Sequence, residues 1–484
     1  MKKNITFSKH SRRQFIKYGT LAAGGAALTG PYLLRGQNLN SQLNIAQIGL
    51  GVKGVSDGQW CGTENLIAIC DVSSAALDKV KAMIPTATGY KDYRELLDKE
   101  KNLDAIDIAT PDHSHAIIAA TAIKMGKHVY CQKPLTHDVA EARMLRELAR
   151  QYKVATQMGN QGSASDGLRR GVEIVQAGLI GKVREAYVWT NRPIWPQGLD
   201  RPSGSDPVPS DFAWDLWLGT APSRPFKEKW PDADAAKMGQ VLQFSPNLYH
   251  PFNWRGWYDF GTGALGDMAC HTVNWPFRAL KLGYPTEIEA TTSGLKPEMY
   301  PTASKIRFEF PERDGLPAVT LHWMDGGNVP PTEVTADLVS MFGRISPSGC
   351  LMIGDKGSVF SPDDGDQELR VLVKLKEDKE WNFILRHPAA LAIPETIPRN
   401  AFDNHEPPDS RHHSEWFAAC KSGKHETAYS NFDIAAYLTE IMLLGCVALR
   451  AGKKLEWDGP GMKVKNAPEA AQYIKRDYRT GWKI

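Results

Sequence analysis

The chain has 484 residues, 42% of them hydrophobic and 23% charged, which is ordinary for a globular protein of two or three domains. This composition excludes disorder, collagen and coiled coil as the main architecture. Residues 1–40 hold seven basic residues and no acids, so the rest of the chain carries a net charge of −4. No nucleic-acid-binding domain is therefore indicated. The seven cysteines include no C-x-x-C pair and indicate neither a disulfide framework nor a structural zinc site.

Residues 1–40 have the pattern of a twin-arginine export signal followed by a linker. The segment Ser11-Arg12-Arg13-Gln14-Phe15-Ile16-Lys17 precedes an apolar stretch over residues 18–34. That stretch is short, contains four glycines and is interrupted by Pro31, so we expect no stable membrane anchor. The pattern predicts export by the twin-arginine route to the periplasm.

Strands and helices alternate over residues 41–165, which predicts a doubly wound α/β Rossmann domain with a parallel sheet. We expect a short helix through Leu97 that is capped by Asp92. The predicted strands are 43–48, 66–70, 105–109, 128–131 and 154–158. The other predicted helices are 74–83, 115–125 and 138–152.

Residues 166–484 read as an α+β domain with a large, mostly antiparallel open sheet. Between its strands lies a stretch rich in Pro, Gly and Trp over residues 193–262, whose length suggests a functional role. Two late helices are expected, and the adjacent His412 and His413 on the first of them are interpreted as a surface or interface pair. The predicted strands are 183–192, 286–293, 303–310, 318–324, 350–360 and 369–375. The predicted helices are 410–420 and 432–450.

A dinucleotide-binding motif follows the first strand. Gly49-Leu50-Gly51-Val52-Lys53-Gly54 is a full G-x-G-x-x-G, and Asp71 ends the next strand. The glycines would permit a tight turn, a close approach to the pyrophosphate and close helix–strand packing, and the helix N-terminus would face the phosphates. Asp71 would bind the ribose hydroxyls and repel a 2′-phosphate, so the predicted cofactor is NAD. The predicted contacts are Gly49, Gly51, Val52, Lys53, Gly54 and Asp71.

Three further segments carry a resemblance to a known family. They are Thr110-Pro111-Asp112-His113-Ser114-His115, the run from Gly126 to Pro134, and the run from Gly263 to His271. Together they resemble the Gfo/Idh/MocA oxidoreductases. The resemblance implies a Rossmann domain joined to an open-sheet domain that often mediates oligomerisation, with the substrate between them, facing the nicotinamide. A homo-oligomer through the C-terminal sheet is therefore expected.

The resemblance also implies site residues. The lysine of the family's Glu-Lys-Pro motif falls on Lys133, and its paired acid and histidine fall on Asp267 and His271. The glutamate of that motif is Gln132 here, which removes one negative charge beside Lys133. Asp112 and His113 are expected to line the nicotinamide pocket, and His115 to start a helix near the cofactor. The cofactor-binding set therefore also contains Thr110, Pro111, Asp112, His115, Gln132 and Lys133.

The side chains suit oxidation of a secondary alcohol. Asp267 and His271 are four residues apart in an expected helix, so both project from one face. Neutral His271 can take the hydroxyl proton near pH 7, and Asp267 can stabilise the imidazolium or bind the sugar. Lys133 can polarise the reacting oxygen. His113 and His115 could face one metal ion, but no acid-and-histidine cluster at metal spacing supports this, so no metal site is predicted.

The substrate prediction rests on aromatic residues. Eight of the 14 tryptophans lie between Trp189 and Trp275. Around residues 191–196 and 249–257 they are mixed with hydrogen-bonding groups, which fits a carbohydrate, although for any single tryptophan a place in the core or a subunit interface is the better interpretation. We expect at least one of Trp195, Trp254 and Trp257 to contact the sugar. The predicted substrate-binding residues are His113, Gln161, Arg192, Trp195, Tyr249, His250 and Trp254.

Three functions remain open at this point. The first is an NAD-dependent oxidoreductase acting on a secondary hydroxyl of a sugar or glycoside. The second is a redox-neutral NAD-dependent glycosidase, in which oxidation at carbon 3 permits elimination, water adds, and the hydride returns. A sugar-ketone former that recycles its cofactor on a second sugar would fit equally. The third is a non-catalytic sugar-binding protein, which the presence of Lys133, Asp267 and His271 argues against.

Overall fold

The computed structural model describes residues 42–365, 369–399 and 406–484, which contain a sheet of six strands and a sheet of ten. The signal and linker predicted for residues 1–40 lie outside these ranges. Export therefore stays a prediction. We call the six-stranded sheet the first sheet and the ten-stranded sheet the second sheet.

The first sheet is parallel throughout and has the strand order β3-β2-β1-β4-β5-β6. Most of its residues are buried, including the polar Gln47, Asp107 and Gln157, because both faces of the sheet are covered. This is the doubly wound order, with its switch point between β1 and β4, where a crevice opens at the carboxyl ends of the strands. The predicted Rossmann fold is confirmed. The strands are β1 Asn44–Ile48, β2 Asn65–Cys70, β3 Thr88–Tyr90, β4 Ala105–Ile108, β5 His128–Gln132 and β6 Thr156–Gly159.

Five helices connect these strands. Asp92 caps the third as predicted, because its Oδ1 accepts the backbone N–H of Arg94 at 2.9 Å. The predicted start of the fourth at His115 is wrong. That helix begins at Asp112, directly after the extended Pro111, so His115 lies within its first turns. The helices are α1 Val52–Cys61, α2 Ser74–Met83, α3 Tyr93–Lys99, α4 Asp112–Lys124 and α5 Val139–Tyr152.

The second sheet has the order β14-β13-β12-β11-β7-β10-β9-β8-β15-β16, and every described pair except β7–β10 is antiparallel. The single strand predicted over residues 350–360 is instead a hairpin, because the chain turns at Asp355 and Lys356. The strands are β7 Val183–Trp189, β8 Glu287–Thr292, β9 Ser304–Phe310, β10 Val319–Met324, β11 Gly349–Gly354, β12 Gly357–Ser361, β13 Leu372–Leu375, β14 Asn382–Phe383, β15 Leu455–Asp458 and β16 Lys463–Val464.

The helices after residue 165 include one, α14, whose length and apolar composition alone would suit a membrane span. In the described ranges it is the one such helix, and 83% of its most apolar 18-residue window is buried within the protein. Its side chains join the core against the second sheet. The helices are α6 Asp166–Gln176, α7 Trp214–Leu218, α8 Asp232–Met238, α9 Gly263–Thr272, α10 Asn274–Ala279, α11 Thr332–Phe342, α12 Pro388–Leu391, α13 Pro408–Ser422, α14 Phe432–Ala451 and α15 Ala471–Ile474.

The C-terminal helices also pack on the first sheet. The amide of Gln157 in β6 donates to the carbonyl oxygen of His412 at 2.6 Å, and the backbone N–H of Phe432 donates to Thr156 Oγ1 at 3.0 Å. His412 and His413 are fully buried, so their interpretation as a surface or interface pair is wrong. Helix α13 covers the first sheet, which encloses both rings. The domain boundary predicted at residues 165–166 stays a prediction.

Residues 193–262 are not structureless. They include α7 and α8 and build an aromatic core of their own, in which the rings of Trp214 and Trp217 stack at 4.9 Å. This core is tied to the first sheet just beyond β2. Ala213 donates its backbone N–H to Val72 at 2.9 Å, and Ser74 donates its own to Asp211 at 2.8 Å. The aromatic segment therefore lies beside the crevice of the first sheet.

Candidate active site

A cavity of about 630 Å³ opens at the carboxyl edge of the first sheet. One wall is the glycine-rich turn after β1 together with the ends of β2, β4 and β5. The opposite wall comes from residues 192–195, 250–255 and 267–271. We call the part lined by residues 132–133, 161, 192–195, 252–255 and 267–271 the catalytic end, and the remainder the nucleotide end.

The glycine turn has the local geometry that the motif predicts. Gly49 has a φ of +92°, and a Cβ there would lie 2.5 Å from the carbonyl oxygen of Ala109. A Cβ on Gly54 would lie 1.9 Å from the carbonyl oxygen of Gly49, so α1 packs directly against the turn. In the described part, no atom lies within 4 Å of a Cβ built on Gly51, and Val52 beside it is 92% exposed. The open space at Gly51 fits a pyrophosphate against the N-terminus of α1.

Asp71 lies at the end of β2 and lines the nucleotide end. Its carboxylate accepts the backbone N–H of Leu50 at 2.7 Å and that of Ser73 at 2.8 Å. Burial raises the pKa of Asp71 even though these hydrogen bonds lower it. His250 lines the cavity within electrostatic range of Asp71, which places this predicted substrate residue towards the nucleotide end.

Lys53 is held by two carboxylates instead of pointing freely into the cavity. Its Nζ lies 2.9 Å from Asp57 Oδ1 and 2.9 Å from Asp409 Oδ1 of α13. Burial of Asp57 raises its pKa to about 6, against the opposing charge of Lys53. Gln132 Nε2 donates to the second oxygen of Asp57 at 2.7 Å. The amide at the family's glutamate position thus satisfies an already buried acid, where a glutamate would repel it.

Lys133, Asp267 and Arg255 form the charged centre of the catalytic end. Lys133 Nζ lies 3.0 Å from Asp267 Oδ1 and donates to the Asp267 carbonyl oxygen at 3.0 Å. Arg255 Nε donates to the same Oδ1 at 2.9 Å. Burial alone would raise the pKa of Asp267, but Lys133 and Arg255 hold it well below its ordinary value. Asp267 is therefore a permanent anion that positions two cations.

His271 lies one turn after Asp267 in α9, as the spacing predicts, and lines the same cavity as Lys133. Burial, reinforced by the positive charge of Lys133, lowers the pKa of His271 well below its ordinary value. Its Nδ1 is buried and has no hydrogen-bond partner in the described ranges. The ring is therefore unprotonated at neutral pH and can accept a proton.

Aromatic rings surround the guanidinium of Arg255. Its Cζ lies 4.3 Å from the ring centroid of Trp254, 4.5 Å from that of Phe252 and 5.8 Å from that of Trp195. Trp195, Trp254 and the predicted substrate residues Gln161 and Arg192 also line the cavity. The catalytic end thus combines flat apolar faces with hydrogen-bond donors.

Five residues predicted for the site do not line the cavity: Gly54, which packs against the glycine turn, and four buried side chains. His113 Nε2 and Nδ1 contact the carbonyl oxygens of Trp217 and Phe260 at 2.9 and 3.2 Å, and Tyr249 is packed among the aromatic rings of its own segment. His115 Nδ1 contacts the carbonyl oxygen of Pro134 at 2.8 Å, and its Nε2 contacts that of Thr110 at 2.7 Å. Asp112, His113 and His115 are buried in α4, and Tyr249 is buried in the aromatic core of residues 193–262. These four residues are each no more than 2% exposed.

Asp112 is one of these buried groups, and it is unusual in being an acid. Its Oδ2 accepts the hydroxyl of Thr262 at 2.7 Å, and burial raises its pKa to about 7. Trp257, expected as one of three candidate sugar contacts, is also fully buried and outside the cavity lining. Thr110 and Pro111 line the cavity as predicted.

A second buried cluster lies behind the glycine turn. His413 Nε2 donates to Asp107 Oδ2 at 3.3 Å, and Cys61 Sγ donates to the same oxygen at 3.5 Å. Although burial alone lowers it, the hydrogen bond to Asp107 and the charge of Asp57 leave the pKa of His413 above its ordinary value. The donor atoms of Cys61, Asp107 and His413 lie within 4.8 Å of one another. A protonated histidine between carboxylates accounts for this arrangement.

The cavity residues that the sequence did not point to include Arg255, Asp409 and Trp482. Arg255 belongs to the aromatic motif around residue 254 but was assigned no role. Trp482 lines the nucleotide end from the C-terminal tail, 6.4 Å from the ring of Tyr93. No sequence signal marks Asp409 or Trp482, since each reaches the cavity only through the folded path of the C-terminal region.

The strand order, the glycine turn and the cavity together define a dinucleotide-binding protein in which a second, open-sheet region closes one wall of the site. Residues 43–160 match the Gfo/Idh/MocA model, described as an oxidoreductase family with an NAD-binding Rossmann fold. The match confirms both the resemblance and the predicted NAD-binding fold.

Known proteins similar to this chain include two curated relatives. Myo-inositol 2-dehydrogenase of Thermotoga maritima is 28% identical over 161 residues, which is 33% of this chain and 48% of that protein. Alpha-N-acetylgalactosaminidase of Shewanella oneidensis is 31% identical over 154 residues, 29% of this chain and 33% of that protein. The chain thus spans about half or less of the length of these relatives.

The whole described architecture also has solved counterparts. An inositol dehydrogenase homolog from Azotobacter vinelandii, complexed with NADH and myo-inositol, superposes with a TM-score of 0.56 at 14% identity. The superposition covers 86% of this chain and 98% of that chain. At this identity the likeness establishes the fold, including the second sheet.

Proposed function

We propose that this protein is an NAD-dependent oxidoreductase that acts on a secondary hydroxyl of a sugar or glycoside. One observation carries the proposal. Lys133 at the end of β5 and His271 in α9 come from different regions of the chain and line one cavity with the glycine turn. A lysine and a neutral histidine facing a nucleotide crevice suit removal of a hydroxyl proton.

The residues at the nucleotide end fit NAD. The open space at Gly51 leaves room for a pyrophosphate, and the free N–H groups at the start of α1 face it. Asp71 is placed to bind ribose hydroxyls, although its carboxylate already accepts two backbone N–H groups. When bound, NAD supplies the acceptor for the hydride that leaves the sugar carbon.

The residues of the catalytic end accept the proton, stabilise charge on the reacting oxygen and bind the sugar ring. His271 is unprotonated at neutral pH and accepts the hydroxyl proton. Lys133, fixed by Asp267, donates a hydrogen bond to the reacting oxygen and stabilises negative charge on it. Trp254 offers an apolar face for the C–H surface of a sugar ring.

A redox-neutral glycosidase is the second candidate. The relative from Shewanella oneidensis is named a glycosidase, while the Thermotoga maritima relative is named a dehydrogenase. Both activities begin with the same proton removal, so the residues of the catalytic end serve either one.

Cofactor release and product analysis test the proposal. The purified protein is denatured and the released nucleotide is measured by absorbance. Native protein is then incubated with sugars and chromogenic glycosides, with and without added NAD. NADH that accumulates only with added NAD supports the dehydrogenase, and aglycone release without added cofactor supports the glycosidase. Bound sugar with neither product would overturn both in favour of a binding protein.

We propose further that the protein is exported to the periplasm by the twin-arginine route and assembles as a homo-oligomer through the second sheet. The arginine pair at residues 12–13 supports the first statement, and the resemblance to open-sheet relatives supports the second. Fractionation of cells expressing the wild-type chain or the Arg12→Lys/Arg13→Lys variant tests export. Light scattering of the purified protein tests assembly, and a monomer at micromolar concentration would contradict it.

A further inference from the structure

The catalytic end carries more positive than negative charge. Among the described residues that line it, the cations are Lys133, Arg192 and Arg255, and the anion is Asp267. Lys133 and Arg255 both contact the single oxygen Asp267 Oδ1. One carboxylate therefore serves two cations, and it leaves their combined charge unbalanced.

Arg255 retains hydrogen-bonding capacity towards the cavity. Its Nε donates to Asp267 and its Nη1 to the carbonyl oxygen of Phe252 at 3.2 Å. In the described part of the chain, its Nη2 has no acceptor. The aromatic rings around the guanidinium hold it in place, so its remaining N–H groups have a fixed direction.

Arg192 has one close partner, the amide of Asn191, and one more distant carboxylate, that of Asp364. Its Nη1 lies 3.5 Å from Asp364 Oδ2, beyond the usual hydrogen-bond length, and also contacts Asn191 Oδ1. Both contacts use the same nitrogen. The described ranges contain no side-chain acceptor for its Nε or Nη2. Asp364 itself does not line the cavity, so it does not present its charge to a ligand there.

The lowered pKa of His271 is a second sign of the excess positive charge at the catalytic end. Besides burial, the charges of Lys133, Lys53 and Arg192 lower its pKa, and only Asp267 among the leading contributions opposes them. A neutral sugar would leave this field uncompensated in a partly enclosed cavity, where charge interactions are stronger than in water.

We propose that the substrate is an acidic sugar, a uronic acid or its glycoside, whose carboxylate is bound by Arg192 and Arg255. The proposal rests on the proposed sugar-oxidising function. A planar guanidinium matches a planar carboxylate with two parallel hydrogen bonds, and Trp254 beside Arg255 takes the sugar ring. The hydroxyl to be oxidised then faces Lys133 and His271, which line the same cavity as the two arginines.

Paired sugars that differ only in the carboxylate test this assignment on the full chain. The pairs are 4-nitrophenyl β-D-glucuronide with the β-D-glucoside, and methyl α-D-galacturonide with the α-D-galactoside. Formation of NADH at saturating NAD gives kcat/KM, and calorimetry with NADH present gives affinity. We expect the acid member to be favoured by about 30-fold or more in at least one pair.

Variants assign the preference to residues. Arg192→Gln is expected to reduce the acid-to-neutral ratio about tenfold, with Arg192→Lys keeping part of the preference because a point charge remains. Arg150→Gln is the matched control, since Arg150 lies on α5, is exposed and does not line the cavity. An unchanged ratio in Arg192→Gln would remove Arg192 from the carboxylate site.

The outcomes separate this inference from the proposed function. Neutral sugars oxidised as well as uronides would overturn the inference while the oxidoreductase stands. Uronides that bind selectively to the NADH complex without any oxidation or aglycone release would support the acidic subsite and overturn the proposed activity. Preference for a 6-sulfated or 6-phosphorylated sugar over the uronide would overturn the carboxylate assignment.

Discussion

Lys133 Nζ and Asp267 Oδ1 lie 3.0 Å apart, although 134 residues separate them in the chain. The contact joins the end of β5 in the first sheet to α9. Because Asp267 also holds Arg255, it fixes two cations at the wall where the sugar is proposed to bind. The positions of Lys133 and Arg255 in this wall therefore depend on Asp267, which stays ionised and takes no part in proton transfer.

The first prediction concerns Lys133. Lys133→Ala removes the hydrogen-bond donor proposed to face the reacting oxygen, and we expect kcat to fall by about 10²- to 10⁴-fold. NAD affinity is expected to remain, because the glycine turn and Asp71 are untouched. Steady-state NADH formation and calorimetric NAD binding measure the two effects. Lys237→Ala, at an exposed lysine, is the control, and full activity in Lys133→Ala would exclude the residue from the mechanism.

The second prediction concerns Asp267. Asp267→Asn leaves Lys133 and Arg255 facing each other without the carboxylate that pairs them. We expect the free energy of unfolding to fall by about 3 kcal/mol, as for other broken buried ion pairs, and turnover to fall with it. Thermal unfolding and kcat/KM measure the change. Asp98→Asn, at a surface position, is expected to alter neither, and an unchanged stability in Asp267→Asn would contradict the ion-pair assignment.

The third prediction separates cofactor binding from folding. A Cβ on Gly51 meets no described atom, so Gly51→Ala is expected to fold normally while its methyl group blocks the pyrophosphate. We expect NAD affinity to fall by about tenfold or more. A Cβ on Gly58, in the helix α1 that follows Gly51, also meets no described atom within 4 Å, so Gly58→Ala provides a matched control. Equal NAD affinity in the two variants would place the dinucleotide elsewhere.

The fourth prediction concerns pH. Burial raises the pKa of Asp112 to about 7 from an ordinary value of 3.8. The folded state therefore binds its proton more tightly than the unfolded state does. Its stabilising contribution is complete below about pH 4 and is lost as the pH rises through 7. Asp112→Asn mimics the protonated acid, so its stability relative to wild type should increase with pH by roughly 1.4 kcal/mol per unit over this interval.

Chemical denaturation of wild type and Asp112→Asn between pH 4 and pH 8 measures that difference. The hydrogen bond from Thr262 is retained by the amide oxygen, which keeps the comparison matched. A difference that does not change with pH would show that Asp112 ionises as an ordinary exposed acid does.

The sequence was sufficient for features that depend on local backbone and periodicity. The glycine motif, five of the six strands of the first sheet and the capping of α3 by Asp92 are found where the pattern predicts them, whereas the short β3 was not predicted. Asp267 and His271 share one helix because a spacing of four residues keeps side chains on one face. These are properties of a few consecutive residues, and they do not require knowledge of the rest of the fold.

Other features were decided only by tertiary packing. His113 and Tyr249 carry the chemistry expected of binding residues, yet neighbouring segments enclose them. Asp409, by contrast, reaches Lys53 across 356 residues because α13 returns to the first sheet. Which side chains face a cavity depends on how distant segments cover one another, and residue type and spacing contain little of that information. The sequence by itself therefore determined the nucleotide-binding scaffold, and its resemblance to a known family pointed to Lys133, Asp267 and His271 as site residues. Only the tertiary structure decided which cations surround them, because electrostatic balance is set by distances between residues far apart in the chain.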